Sequence, residues 1–424
     1  MQIFQSTQMQ AFTEITASAG QVADLALGPV VTPQFKGFGG CFNELGWKAL
    51  SLLGDNARDD VLHKLFAPDG LFLDYNRMPI GANDYATSWY SHNETEGDFA
   101  MERFSIARDH KALIPYIRAA TRAHGQPFSL FASPWCPPTW LKFPQAYNFG
   151  RLIWDDAHRK AYALYFVKFL QAYAAENIAI HSVHVQNEPD SDQKFPSCLW
   201  TGQSLADFIR DDLFPAFKSA GLETKIWLGT IERGSFNDWL APTLLDPAAR
   251  AAISGMGFQW AGKHAVQKAR QAAPDLPVIQ TENECGDGEN TWAYAHYVFD
   301  LMQHYLSNGA EAYVYWNMVL EPKGRSTWGW TQNSLFSVDP ETKAVTENPE
   351  YTLMRHVAGF VRPGAQVFAP IGRWNANALA FRNADGRTVV VLQNPLDRAE
   401  AVTVDLNGLH CVTLPPKSFT TLVA

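Results

Sequence analysis

Residues 156–187 read DAHRKAYALYFVKFLQAYAAENIAIHSVHVQN, and the period of the apolar positions changes inside that stretch. Tyr162, Tyr165, Phe166 and Phe169 recur at i, i+3, i+4 and i+7, the core-facing stripe of a helix over Asp156–Ala175. Ile180–Asn187 is a short apolar run bounded by polar residues, which reads as a buried strand. A helix returning to a buried strand is the repeating unit of a parallel α/β sheet.

The alternation continues outward in both directions. Candidate strands are Gln34–Gly39, Leu71–Pro79, Pro127–Ser133, Ile180–Asn187, Thr224–Thr230, Ile253–Trp260, Pro277–Glu282 and Glu311–Met318. Helical patterns at Asp109–Ala123, Leu205–Ser219 and Thr291–Ser307 fall between them. Eight strands with helices between predict an α/β chain built as a (β/α)8 TIM barrel. A doubly wound open sheet would carry a glycine-rich phosphate loop after a strand. Gly37-Phe38-Gly39-Gly40 is the nearest approach and lacks the third glycine at the right offset. Helix-to-strand connections are short, as at His124-Gly125-Gln126, whereas Gly81–Arg108, Glu188–Ser204 and Val319–Pro349 leave strands as long loops. In a barrel that face builds the functional mouth.

Past about Gly364 the pattern becomes short alternating strands separated by turns such as Asn383-Ala384-Asp385-Gly386 and Asn407-Gly408. The division predicted is a barrel over residues 31–360 and an attached antiparallel β-sandwich over 361–424, with residues 1–30 adding strand to the sandwich. Since its segments flank the barrel on both sides in sequence, the sandwich reads as a brace rather than a carbohydrate-binding module.

Composition narrows the function. There are 34 Lys and Arg against 43 Asp and Glu, a net charge of −9 with no basic stripe, which speaks against nucleic acid as a partner. No apolar run is long enough to span a bilayer. Five scattered cysteines form neither a disulfide framework nor a zinc ribbon, and no HExxH or His/Cys cluster offers a metal site, so no metal or cofactor is expected. The N-terminus carries no leader pattern, which predicts a cytoplasmic protein, or a periplasmic or secreted one if a signal was removed. Oligomeric state leaves no trace in the sequence. Aromatic residues reach 13 %, and many lie in loops, as at Trp89-Tyr90 and Trp328-Gly329-Trp330. Rings beside polar residues in loops suit the flat, partly apolar faces of sugars.

Two strand ends carry carboxylates. Val183-His184-Val185-Gln186-Asn187-Glu188-Pro189 ends the fourth, and Val278-Ile279-Gln280-Thr281-Glu282 the seventh. Two carboxylates at a barrel mouth are the equipment of glycoside hydrolysis, one giving a proton to the leaving oxygen and the other attacking or guiding water. Glu282 lies closest to the apolar run, with Glu284 as the second candidate.

The sequence resembles the family 30 glycoside hydrolases, retaining β-glycosidases of clan A that include the acid β-glucosidases, or glucosylceramidases. Gly37-Phe38-Gly39-Gly40 looks like the family's first-strand motif, and Ser133-Pro134-Trp135-Cys136-Pro137-Pro138-Thr139-Trp140-Leu141-Lys142 is similar to its third-strand motif. Asn187-Glu188-Pro189 matches the acid/base motif, and Trp316-Asn317 the substrate-lining pair after strand eight. The resemblance implies that Glu188 is the acid/base and Glu282 the nucleophile of a retaining mechanism. It also implies that Asn187 binds the sugar 2-hydroxyl, that Arg77 orients the nucleophile, that Asp84 binds distal hydroxyls, and that Trp135 and Trp316 line the sugar site. Read as structure alone, Arg77 would be an interior salt bridge and Asp84 a turn residue.

Strand six departs from the glucosylceramidase-like His-Trp-Tyr. Gln259-Trp260-Ala261 stands there, so a ring and a phenol beside the nucleophile are missing. Asn43-Glu44 replaces Thr-Asp in strand one, where Glu44 would be a longer carboxylate for a sugar hydroxyl. The expected activity is exo-acting hydrolysis of β-linked glucoside-type sugars, extending to β-xylosides and β-fucosides. The alternatives are an endo-acting β-1,6-glucanase or xylanase, and a sugar-binding barrel without catalysis. A carbohydrate is the expected partner, with no stable membrane association.

Overall fold

The computed structural model describes all 424 residues. Eight parallel strands close into a ring. They are β1 (Gly37–Cys41), β2 (Tyr75–Ile80), β3 (Ser129–Pro134), β4 (Ser182–His184), β5 (Lys225–Trp227 and Thr230–Ile231), β6 (Met256–Gln259), β7 (Val278–Glu282) and β8 (Ala312–Asn317). β1 pairs with both β2 and β8, which joins the two ends of the series. β5 closes the opposite side in two pieces, Lys225 opposite Ser182 of β4 and Thr230 opposite Gly257 of β6. Gly229 sits between the pieces at φ +145°, a conformation that side chains disfavour. The (β/α)8 barrel read from the alternation is the fold.

The glycine run of β1 has a packing origin. A Cβ on Gly39 would lie 1.7 Å from the carbonyl oxygen of Tyr75, so only glycine lets β1 approach β2. The helix predicted over Leu205–Ser219 is interrupted. Gly202–Phe208 and Phe214–Ser219 are α-helical, and Ile209–Leu213 widens into a π turn just before Pro215. Pro215 has no N–H for the carbonyl four residues back, and the wider turn absorbs that loss.

A sandwich of two sheets packs beside the barrel. The seven-stranded sheet runs Gln10–Ile15, Gln2–Thr7, Ser418–Val423, Thr388–Asn394, Ala378–Arg382, Gln366–Phe368 and Val30–Thr32. The five-stranded sheet runs Ile371–Gly372, Leu25–Ala26, Glu400–Asp405, Leu409–Leu414 and Ser18–Ala19. The N-terminal segment therefore supplies five strands to both sheets where one addition was expected. Two of them are two-residue pieces, too short to show alternation in sequence.

Strand alternation explains the joint. Ala378, Ala380, Val390, Leu392 and Leu422 point into the sandwich core, while Leu379, Phe381, Val389, Val391 and Phe419 belong to the barrel's own core. Thr388–Leu392, expected to alternate, is instead buried at every position, because its two faces meet different cores. Phe419 stacks on His296 at 4.5 Å, and the indole N–H of Trp292 donates to the Lys417 carbonyl at 2.7 Å. Phe419→Ala is expected to cost about 3–5 kcal/mol through the cavity it leaves. Urea unfolding checks this as a lowered midpoint.

Candidate active site

Glu188 and Glu282 stand at the mouth on the carboxyl ends of their strands, and each is placed by an irregularity there. Beyond β4 the chain bends at Val185 and bridges again from Asn187 to Thr230, and Glu188 then turns at φ +48°. A non-glycine residue in this left-handed region is held by its surroundings. The Glu188 N–H donates to the Thr230 carbonyl at 3.3 Å. Trp260 turns the same way at φ +47° just after β6. Between β6 and β7 the register slips, so that Gln259 lies opposite Glu282.

The two carboxylates share a donor. Gln259 Nε2 donates to Glu188 Oε1 at 2.9 Å and to Glu282 Oε2 at 3.2 Å. Trp260 Nε1 donates to the other oxygen of Glu282 at 3.2 Å, and the Cys285 thiol lies 3.8 Å from it. Where strand six departs from His-Trp-Tyr, the Gln259 amide takes the place of the ring, beside the indole of the retained Trp260.

Arg77, on β2, organises the floor and is fully buried. Nη1 donates to Glu282 Oε2 at 2.9 Å, to Gln259 Oε1 at 3.1 Å and to the Thr281 carbonyl at 3.2 Å. Nη2 donates to Asn187 Oδ1 at 2.6 Å and to Ser133 Oγ at 2.9 Å. The guanidinium carbon lies 4.6 Å from the Trp135 ring centroid and 5.6 Å from that of Trp316. A planar cation with a fixed fork suits this place, because it pairs edgewise while its face meets the Trp135 ring. Asn187 Oδ1 also accepts from Thr230 at 3.2 Å and from Gln259 at 3.3 Å. With its oxygen engaged, Asn187 offers its amide N–H groups to the cavity it lines.

Burial raises both glutamic acids above the ordinary carboxylate range, and the Arg77 charge opposes this for each. Glu282, pushed up to about 8, also meets the charge of Glu188, and of the two it alone touches the guanidinium. Asp84 is pushed up to about 7, by burial first and then by the charge of Glu188.

A cavity of about 430 Å³ opens above the pair. Asp84, Trp135, Asn187, Glu188, Trp260 and Glu282, all singled out from sequence, line it. Arg77 and Gln259 lie beneath. Trp316 and Asn317 stand one layer back and act through Gln332, which lines the cavity. Trp316 Nε1 and Asn317 Nδ2 donate to Gln332 Oε1 at 2.8 and 2.9 Å, and Trp316 stacks on Trp135 at 5.7 Å.

Glu284 is turned away, paired with Lys263 and accepting from the Tyr297 hydroxyl at 2.6 Å. Glu44 does not reach the cavity, contrary to the sugar contact expected of it. Its carboxylate accepts from Arg108 at 3.0 and 2.8 Å and from the backbone and hydroxyl of Thr87, both at 2.7 Å. Starting helix Glu44–Leu50, it points away from the cavity once Asn43 has capped that helix. Trp330, one of the loop rings read as suited to a sugar, lines the cavity as well, and the sequence reading missed Glu232, Ser191, Arg233, Phe195 and Gln332, which also line it. Glu232 carried a signal, since it follows the apolar end of β5 just as Glu188 and Glu282 follow theirs. The others lie in loops without periodicity.

The profile of the glycosyl hydrolase family 30 TIM-barrel domain matches residues 35–361, and that of the family's β-sandwich domain matches residues 373–422. Putative glucosylceramidase 2 of Caenorhabditis elegans is 29 % identical over 419 residues, covering 91 % of this chain and 80 % of its own. An endo-1,6-beta-D-glucanase of Neurospora crassa is 26 % identical over 398 residues, covering 87 % and 80 %. The crystal structure of SrfJ from Salmonella typhimurium superposes with a TM-score of 0.90 at 24 % identity, over 100 % of this chain and 99 % of that one.

Proposed function

The chain belongs to glycosyl hydrolase family 30, and from that premise we propose that it is a retaining, exo-acting β-glycosidase working by double displacement on β-linked glucoside-type sugars. The observation that carries the reading is the single Gln259 nitrogen bonded to both carboxylates. A donor shared by the two carboxylates keeps their facing oxygens close, which suits the roughly 5–5.5 Å separation of retaining pairs better than the roughly 6.5–9.5 Å of inverting ones.

In this reading Glu282 attacks the anomeric carbon while Glu188 passes its proton to the leaving oxygen. Once Glu282 is esterified its charge is gone, and Glu188, now ionised, takes a proton from the incoming water. Arg77, Gln259 and Trp260 keep Glu282 ionised and aimed. Asn187 meets the 2-hydroxyl with its N–H, and Asp84 and Gln332 meet hydroxyls further round the ring.

Exo action is supported by how the loops after β2 and β8 are tied together. The Tyr85 hydroxyl donates to the Gly324 carbonyl at 2.6 Å, Thr327 Oγ1 donates to the Ala86 carbonyl at 2.9 Å, and Trp89 packs on Trp328 at 4.6 Å. These contacts stand next to Asp84 in the chain and close the cavity on that side. An endo-acting β-1,6-glucanase is the second reading, favoured by the Neurospora relative.

The test is hydrolysis of aryl β-glucoside, β-xyloside, β-fucoside and β-galactoside, with the first-formed anomer followed by NMR. Release of the β anomer first is expected, and release of the α anomer first would overturn retention. Cleavage confined to internal bonds of an oligosaccharide ladder would replace exo by endo. Glu188→Ala is expected to lose about 10²–10⁴-fold on substrates with poor leaving groups and far less on dinitrophenyl glycosides, which need no proton. Steady-state rates across a leaving-group series check this.

A further inference from the structure

Glu232 is a third carboxylate at this mouth, and the mechanism above does not use it. It follows β5, is only 3 % exposed, and lines the same cavity as Glu188. Its two oxygens differ. Oε1 accepts from the Asp190 N–H and the Ser191 hydroxyl, both at 3.0 Å, with Arg233 Nε 3.6 Å away. Oε2 is buried and has no partner. A buried oxygen without a donor is costly, and a ligand that supplies the donor removes the cost.

The place of the side chain follows from the supports of Oε1. Asp190 and Ser191 belong to the turn leaving Glu188, whose carbonyl accepts from the Ser191 N–H at 3.0 Å. None of the groups that hold Glu282 touches Glu232. The side chain therefore stands on the flank of Glu188, where the bond breaks and the leaving group departs. Arg233 is half exposed beside it, tied to Asp190 at 3.1 Å. Trp330, 40 % exposed, adds a ring to the same cavity, with Phe195 edge-on at 6.4 Å.

We propose that Glu232, with Arg233 and the Trp330 ring, forms a leaving-group subsite for a hydroxylated sugar rather than an alkyl or lipid alcohol. The inference rests on Glu188 being the acid/base. A sugar hydroxyl supplies the hydrogen bond that Oε2 lacks, the exposed guanidinium takes a second hydroxyl, and the ring meets an apolar pyranose face. An alkyl chain in the same place would leave Oε2 buried and unpaired, which is how a polar pocket rejects an apolar isostere. The carboxyl of Glu232 is pushed up to about 8, by burial and then by the charge of Glu188, so protonated or ionised it can engage a hydroxyl.

The experiment compares kcat/KM for a β-linked glucose disaccharide and for an aryl β-glucoside in wild type, Glu232→Gln and Glu232→Leu. It also measures partition of the glycosyl-enzyme between water and added glucose or hexanol. In Glu232→Leu the disaccharide-to-aryl ratio is expected to fall roughly 10–100-fold, and transfer to glucose to fall with it relative to hexanol. Glu232→Gln keeps the volume and a hydrogen bond, and is expected to restore most of both. Equal losses on both substrates, or a shifted alkaline limb on the aryl substrate in both variants, would mean that Glu232 only tunes Glu188 and would overturn the subsite. An unchanged ratio would do the same. If wild type is inactive on aryl glycosides and the disaccharide, the catalytic reading fails first and separately.

Discussion

Glu282→Gly is expected to lower turnover of an aryl β-glucoside by on the order of 10⁴-fold or more, and azide is expected to restore it with the α-glycosyl azide as product. The deleted carboxylate leaves a small space walled by donors that were bonded to it, Arg77 Nη1, Gln259 Nε2 and Trp260 Nε1. A buried guanidinium without its anion recruits one, and azide then attacks from the face Glu282 used. Glu188 is intact, so it still protonates the leaving group. Mass spectrometry and NMR of the product decide the matter, since a β-azide or no rescue would remove Glu282 from the nucleophile's place. Glu284→Gly serves as the control. With its carboxylate engaged by Lys263 and Tyr297, it should not yield an azide product.

Arg77→Met should be the most damaging change away from the reacting carboxylates. It removes the donors to Glu282, Gln259, Asn187, Ser133 and the Thr281 carbonyl together. A buried pair broken on one side leaves an uncompensated charge, about 3–5 kcal/mol in unfolding free energy, and urea unfolding reads it. The activity change has a sign that follows from the charge. Arg77 opposes the burial that raises Glu282, so without it Glu282 holds its proton to higher pH. Turnover needs Glu282 ionised, hence the acid limb of the kcat/KM profile moves up while kcat/KM at its optimum falls by roughly 10²–10³-fold. Arg77→Lys should recover part of the limb but little of the rate, because an ammonium restores the charge without the fork or the planar contact with the Trp135 ring. A Met variant with an unmoved acid limb would show Arg77 to be scaffolding alone.

How legible the molecule was depended on whether a feature repeats. The stripe Tyr162, Tyr165, Phe166 and Phe169 is buried as its spacing requires. The strands past Gly364 were recognisable between their turns, although Thr388–Leu392 does not alternate, since its two faces serve different cores. The N-terminal pieces Ser18–Ala19 and Leu25–Ala26 were not legible, since two residues cannot alternate and only their partners make them strands. Glu44 misled for a related reason. A motif position marks where a residue leaves its strand, while the helix that begins at Glu44 turns the side chain toward Arg108.

The sequence by itself determined the barrel, the appended sandwich and the two strand ends that carry Glu188 and Glu282. All of these follow from local periodicity and from what a strand end can present. Tertiary structure alone set which of Glu282 and Glu284 faces the cavity, since they are two residues apart and would share a face in any extended chain. β7 ends at Glu282, and Lys263 and Tyr297, distant in sequence, draw Glu284 aside. It alone also put Gln259 between both carboxylates, set Trp316 and Asn317 behind Gln332, and brought Glu232 to the flank of Glu188. Each of these is a contact between elements far apart along the chain. The geometry of such contacts depends on how the ring closes, which no local stretch of residues encodes.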